Sequence, residues 1–377
     1  MVHASYVWVD SERDLERMAE PLSRATSLAV DTEADSFYHY HHKCCLIQVS
    51  DGEAVYLVDP LALKRLEPLG EVLGSRRTVK VLHAAEQDVL YLRRDFGFHM
   101  EPVFDTMIAS QLLGKTGIGL ASLLLAYFGE KLDKGSQRDD WSHRPLTERQ
   151  KAYAAEDVRH LIRLSQVLMD ELKTVGRLSW AEEEFALVAR RAWEPRVFDP
   201  EMFWTIKGAR DLPSQEAAVL RELYAMRDRR AGEADLSQFR ILSDETLLAL
   251  AKKRPVESSD LNGVRGVTPL VRRRIGTDIL QAVQAGLEVP EADRPVPPRG
   301  RPRRKSAASQ ARLERLREWR KTRASELGLD PGVLCPQSTL EALAAAGPGA
   351  LDRPEEIPGL RAWRVGLIRP EAHRLLG

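Results

Sequence analysis

Short apolar runs and polar breaks alternate along the first hundred residues, and their spacing predicts most of the elements there. Tyr6-Val7-Trp8-Val9 reads as a strand, with Asp10-Ser11 capping an amphipathic helix that should stop near Glu20, before Pro21. Ser27 to Glu33 and Cys45 to Val49 read as two further strands, and Asp51-Gly52 as a hairpin turn into an antiparallel partner, Ala54 to Val58. Helical spacing covers Leu61 to Leu73. A strand at Thr78 to Leu82, a helix at Asp88 to Phe96 and a strand at Glu101 to Asp105 follow. A meander followed by strand-helix alternation predicts a mixed sheet covered by helices. Asp105, ending the last strand, is placed to cap the helix that begins at Thr106.

From Thr106 to about Trp193 the pattern is helical, with breaks at 114–119 and 134–145. Pro145-Leu146-Thr147 introduces a long helix, capped by Thr147 with Glu148 and Arg149 in its first turn. Beyond Pro200 only helical patterns remain, up to Leu287. Residues 290–308 are rich in proline and arginine and form a linker, an extended tether whose charge also suits nucleic-acid phosphates but cannot set sequence specificity. A repeat brackets it. Arg221-Glu222-Leu223 and Arg227 to Arg230 are echoed by Arg317-Glu318-Trp319 and Arg320 to Arg323, and Thr246 to Ala251 by Thr339 to Ala344. Two copies of one small helical domain account for a period too long for a solenoid.

A length of 377 residues suits two or three domains, and the zero net charge advertises no nucleic-acid partner by itself, although local patches can do so. Lys252-Lys253-Arg254, Arg272-Arg273-Arg274 and the linker arginines are such patches, each of them by default a solvated surface. Cys44, Cys45 and Cys335 form no metal or redox spacing and are expected to be reduced thiols. With no signal pattern and no apolar run of membrane-spanning length, a cytoplasmic protein is expected.

One strand breaks the apolar rule. Asp31 and Glu33 lie two residues apart in Ser27-Leu28-Ala29-Val30-Asp31-Thr32-Glu33, so both carboxylates point to one face. Their repulsion calls for a divalent cation, and hard oxygen donors suit magnesium or manganese. Asp88, after the strand at Thr78 to Leu82, and Asp157, on the long helix, are the natural further ligands. Four converging carboxylates would hold two ions, an arrangement that steadies both the attacking and the leaving oxygen of phosphoryl transfer. Tyr153 lies one helical turn before Asp157, a spacing that alone also describes an ordinary half-buried helix surface. As a phenol, Tyr153 suits orienting a water better than deprotonating it.

Asp31-Thr32-Glu33, then Asp88, then Tyr153-Ala154-Ala155-Glu156-Asp157 resembles, in order, the three exonuclease motifs of the DEDD superfamily, in its tyrosine branch. Gly135-Ser136-Gln137-Arg138-Asp139-Asp140-Trp141, with Arg144-Pro145-Leu146-Thr147 after it, is similar to the run that marks the ribonuclease D family, as are Cys45-Leu46-Ile47-Gln48 and Phe104-Asp105-Thr106. The repeated helical units resemble HRDC domains. The resemblance implies an α/β nuclease domain with a ribonuclease H-like mixed sheet at 1–200 and two all-α HRDC-like domains at 210–288 and 309–377, joined by a linker at 289–308. It also implies two divalent ions, one held by Asp31, Glu33 and Asp157, the other by Asp31 with Asp88, and a water aligned by Tyr153. Phe37, Gln137, Arg138 and Trp141 become candidate substrate contacts. The implied function is 3′→5′ exoribonuclease action on RNA with a free 3′ end, tRNA precursors included, by a monomer. A 3′→5′ DNA exonuclease in repair and a catalytically inert nucleic-acid-binding scaffold are the alternatives, the second disfavoured by the complete carboxylate set. His39, His41 and His42 depart from the family's compact turn and read as a solvated loop or as a phosphate or transition-metal contact.

Overall fold

The computed structural model describes residues 5–132, 135–195, 197–298 and 306–377. The arginine cluster of the linker, Arg299 to Lys305, lies outside the described residues. Among them no helix is long and apolar enough to cross a membrane. They form two compact units. One comprises the chain up to Ala34, Cys44 to Trp193 and the C-terminal segment from Arg303; the other comprises Asp35–Lys43 and Glu194–Pro302.

The first unit is built on a six-stranded sheet of order β1-β4-β3-β2-β5-β6, formed by β1 (Val7–Val9), β2 (Ser27–Ala34), β3 (Cys44–Ser50), β4 (Val55–Val58), β5 (Val79–Leu82) and β6 (Val103–Asp105). Only β3 runs antiparallel to its neighbours, as the hairpin turn at Asp51-Gly52 requires. Helices cover both faces: α1 (Glu12–Leu22), α2 (Glu67–Gly74) and α3 (Glu86–Phe96), then α4 (Thr106–Leu112), α5 (Leu120–Phe128), α6 (Glu148–Arg159), α7 (Leu161–Thr174) and α8 (Leu178–Ala189). Alternation along β2 divides the core between the faces. Leu28 and Val30 pack with Val89 and Leu92 of α3, whereas Ala29 packs with Ala154, Ala155 and Val158 of α6.

Two boundaries differ from the sequence pattern. Pro21 lies inside the last turn of α1, where it forfeits a single helical bond near an end that frays anyway. Leu61 to Leu66 is not helical. Asp59 Oδ1 accepts from Leu61 N at 3.0 Å, and Asp59 also binds Arg144 Nε at 2.7 Å, so a local turn displaces the first part of the expected helix.

The helical repeat occupies α9 (Ser214–Ala234), α10 (Gln238–Ile241), α11 (Asp244–Lys253) and α12 (Pro269–Glu288), then α13 (Ala307–Leu327), α14 (Pro331–Leu334), α15 (Gln337–Ala346), α16 (Ala362–Ile368) and α17 (Ala372–Leu376). Side-chain contacts fix its register at 93 residues. Arg227 binds Leu242 O and Asp244, as Arg320 binds Cys335 O and Gln337. Gly266 and Gly359, both at positive φ, press on Thr246 and Thr339, whose hydroxyls would meet any added Cβ at 2.0 and 2.4 Å. This register corrects one echo. Arg221-Glu222-Leu223 does not correspond to Arg317-Glu318-Trp319, and the buried ridge Leu220, Leu223, Met226 matches Leu313, Leu316, Trp319 instead.

The two copies pack differently. In the second unit, α9 ends at Asp235, held at φ +47, whose carboxylate accepts from His41 N at 2.9 Å and meets His39 Nδ1 at 2.9 Å. Tyr40 reaches Asp228, and Ser237 and Arg240 bind Phe37 O, so the loop after β2 is clasped by its own helical unit. In the first unit the second copy lies against α8. Trp363 stacks on Trp180 at 4.7 Å, Glu184 pairs with Arg364, and Arg177 donates to both Leu112 O and Leu327 O.

Candidate active site

The site forms where β2 outlasts its neighbour. β5 pairs with Ser27 to Ala29 only, whereas β3 accompanies β2 through Ala34, so Asp31, Thr32 and Glu33 lie beyond the C-terminal end of β5. A cleft outside the ends of parallel strands, where connections diverge, is a favoured ligand position in α/β sheets. After Leu82 the chain turns through His83-Ala84-Ala85 into α3. Ala84 adopts φ +60, uncommon for a residue with a Cβ, and the turn is held by Asp105, which accepts from Ala84 N at 3.1 Å and Ala85 N at 2.8 Å. The turn puts Asp88 in the first turn of α3, where the helix dipole favours a negative charge.

The remaining acid arrives from the opposite face. Thr147 and Gln150 form a reciprocal capping box that starts α6, with Gln150 as the partner of the cap. The small residues Ala154 and Ala155 bury against the sheet, carrying Tyr153 and Asp157 to the rim. All four acids face one cleft of about 380 Å³, with Tyr153, Gln137 and His83 also on its wall. One oxygen each from Asp31, Glu33 and Asp157 lies within 4.8 Å of the others. A larger cavity, about 640 Å³, lies in the helical unit against His39, Tyr40 and Arg227. The carboxylate set is in the smaller one, and chemistry follows the ligands.

Crowding sets the electrostatics. Burial, then repulsion from Asp88, Asp157 and Glu33, holds the Asp31 carboxyl well above the ordinary carboxylate range. Glu33 is raised likewise by burial and by Asp157, Asp88 and Asp139. Burial pushes Asp88 and Asp157 up to about 7 each, opposed by hydrogen bonds from Thr32 and Tyr153 respectively. The Thr32 Oγ1 to Asp88 Oδ1 bond is 2.5 Å long. No cation stands among these causes. Oxygen donors brought together and left unneutralised fit hard divalent ions. Tyr153 is raised above the ordinary phenol value by burial and by the neighbouring carboxylates, so it stays protonated.

The other anticipated contacts separate. Gln137 reaches the cleft, while Arg138 beside it is exposed and is not on the cleft wall among the described residues. Trp141 is 1% exposed and packs against Tyr153 with ring centroids 6.1 Å apart, so it supports the tyrosine from the core and has no face to offer a nucleotide. Phe37 belongs to the helical unit and its ring is exposed. Of the histidines, His39 binds Asp235 through its ring, whereas His41 is exposed and binds the same carboxylate through its backbone amide. Sequence reasoning passed over Thr32, His83 and Ala84. A threonine between two acids and a histidine directly after an apolar strand were the available signals.

Residues 6–173 match the 3′-5′ exonuclease family, and residues 216–283 and 309–367 both match the HRDC domain. Ribonuclease D of Gluconacetobacter diazotrophicus is 32% identical over 373 residues, 97% of this chain and 91% of that one. Ribonuclease D of a Shewanella species is 34% identical over 283 residues, 74% and 72% of the two chains. Among solved structures, Escherichia coli RNase D, an exoribonuclease involved in structured RNA processing, gives a TM-score of 0.72 at 27% identity, covering 99% of this chain and 98% of that one. The catalytic core of RRP6 from Trypanosoma brucei gives 0.70 at 29% identity, covering 76% and 81%.

Proposed function

Because the chain belongs to the ribonuclease D family, a family of 3′-5′ exoribonucleases, we propose that it trims the 3′ ends of structured RNAs, tRNA precursors among them, and releases nucleoside 5′-monophosphates. The observation that carries this is the convergence of Asp31, Glu33, Asp88 and Asp157 from both faces of the sheet on one cleft. Two divalent cations, Mg²⁺ or Mn²⁺, would be held there, one by Asp31, Glu33 and Asp157 and the other by Asp31 with Asp88. Such ions supply a nucleophilic water at neutral pH and charge neutralisation at the phosphate.

The protein's own groups do the positioning. Tyr153, hydrogen-bonded to Asp157 and protonated throughout the working range, orients the attacking water without taking its proton. Trp141 fixes the tyrosine ring from below. Thr32 donates to Asp88 and so keeps that carboxylate aimed along the strand end. Gln137 presents an amide to the terminal nucleotide. We place the exonuclease domain at 1–200 and the HRDC-like domains at 210–288 and 309–377, and propose a monomeric cytoplasmic protein. The buried thiols of Cys44, Cys45 and Cys335, none of them disulfide-bonded, suit that compartment.

A time course on end-labelled RNA carrying a 3′ tail, with matched DNA, tests the proposal. Nucleotides should leave the RNA one at a time from the 3′ end in Mg²⁺ or Mn²⁺, and Asp31→Asn should release none. Full release by that variant or in chelator overturns it, and faster release from DNA moves the substrate class.

A further inference from the structure

His83 lines the cleft, yet none of the chemistry above uses it. Its hydrogen bonds determine where its proton is. Thr106 Oγ1 lies 3.0 Å from Leu82 O and 2.9 Å from His83 Nδ1. A threonine hydroxyl has one hydrogen, and a carbonyl oxygen can only accept, so that hydrogen is committed to Leu82 O. His83 Nδ1 must therefore be the donor to Thr106 Oγ1. Burial lowers His83 to about 4, so at neutral pH the ring carries no second proton. Its Nε2 is then a bare acceptor. No second hydrogen-bond partner is bound to the half-buried ring among the described residues. Ring and backbone are both held, the first by buried Thr106, the second by the Ala84 turn that Asp105 pins.

An acceptor in a cleft lined by carboxylates needs a donor from the substrate. Ionised phosphates offer none, and base amino groups change with sequence. Ribose hydroxyls occur in every RNA nucleotide, and the 2′-hydroxyl distinguishes RNA from DNA. We propose that His83 is a specificity-determining residue whose Nε2 accepts a hydrogen bond from a ribose hydroxyl of the 3′-terminal nucleotide. This rests on the exoribonuclease reading of the same cleft. A site built to bind a hydroxyl discriminates against the analogue that lacks it, because the acceptor is left desolvated and unpaired.

Three RNAs that differ only in the last sugar test the proposal: ribose, 2′-deoxyribose and 3′-deoxyribose. The full-length enzyme should lose about tenfold in kcat/KM on the end lacking the contacted hydroxyl. His83→Ala should lose about the same on the ribose end and nothing further on that deoxy end. His83→Gln, which returns an oxygen near the Nε2 position, should recover part of the loss. The 2′- and 3′-deoxy arms identify the hydroxyl. Equal loss on all three ends, or no loss on any, overturns the proposal. Nitrogen NMR of histidine-labelled protein decides it without turnover. Nε2 should resonate as an unprotonated nitrogen at neutral pH and shift with adenosine 5′-monophosphate but not with the analogue lacking the hydroxyl. An Nε2–H signal overturns the tautomer even if the wild type is active; absence of metal-dependent turnover defeats the exonuclease reading separately.

Discussion

Asp105 and Asp31 stand two strands apart in one sheet, the first buried and the second half-buried in the cleft, and they meet different neighbours. Asp105 is 1% exposed and its carboxylate accepts from four backbone amides, those of Ala84, Ala85, Met107 and Ile108, at 2.8 to 3.2 Å. Burial raises it, and those four bonds pull it back. Asp31 is raised by three other carboxylates, and a backbone hydrogen bond from Thr32 opposes them. A buried acid satisfied by four amides is a structural part; acids that face one another suit a hard cation. The two are joined, because Asp105 holds the turn from which His83 and Asp88 are presented.

Breaking each region should give opposite signatures. Asp31→Asn or Asp157→Asn should lower kcat by at least about 10²–10³-fold, measured by nucleotide release. The same variants should melt no lower than wild type in chelator, since they remove repulsion; a large fall in melting temperature would place these acids in the structural class. Asp105→Ala should do the reverse. It strips four amides of their acceptor and a helix of its cap, costing roughly 3 kcal/mol in denaturant unfolding, with Asp105→Asn in between. Wild-type stability in Asp105→Ala would show that the turn is held by something else.

Titration sharpens the same contrast. Asp88 and Asp157 have folded values of about 7, above their unfolded ones, so the metal-free fold binds more protons than the unfolded chain. The stability this gives is full below the unfolded value near 4 and is lost as pH rises through about 7. Melting temperature in chelator should therefore fall from pH 5 to pH 8. Mg²⁺ or Mn²⁺ competes with those protons, so its stabilising shift should grow over the same interval. A metal shift independent of pH would separate the ions from these carboxylates. The smallest expected effect is that of Thr32→Val. Losing one hydrogen bond to Asp88 should cost about fivefold in kcat and move the metal requirement to higher pH, read from rate against pH at fixed metal.

Much of this was legible along the chain. Alternation placed all six strands and predicted that Asp31 and Glu33 share a face, and Asp105 caps α4 as its position at a strand end implied. The family motifs named the four acids and Tyr153. Trp141 was not legible: nothing in a polar run marks a tryptophan as core, and it becomes so by joining the cluster in which it meets Tyr153 of α6. Nor was the repeat register, because Arg-Glu-Leu and Arg-Glu-Trp match in letters while burial aligns different ridges.

Local periodicity determined the elements and which face each acid takes, because backbone geometry alone fixes side-chain direction within a strand or helix. Tertiary structure decided the rest. It ended β5 three residues into its pairing with β2, brought α3 and α6 to that end from opposite faces, and gave Thr106 the contacts that leave His83 an acceptor. It also gave two copies of one helical module different tasks. At equivalent helix ends stand Asp235, bonded to the histidine loop, and Gly328, next to the Leu327 carbonyl that Arg177 binds. These are meetings of residues far apart in the chain, and charge and hydrogen-bond partnership at such distances are settled only by packing.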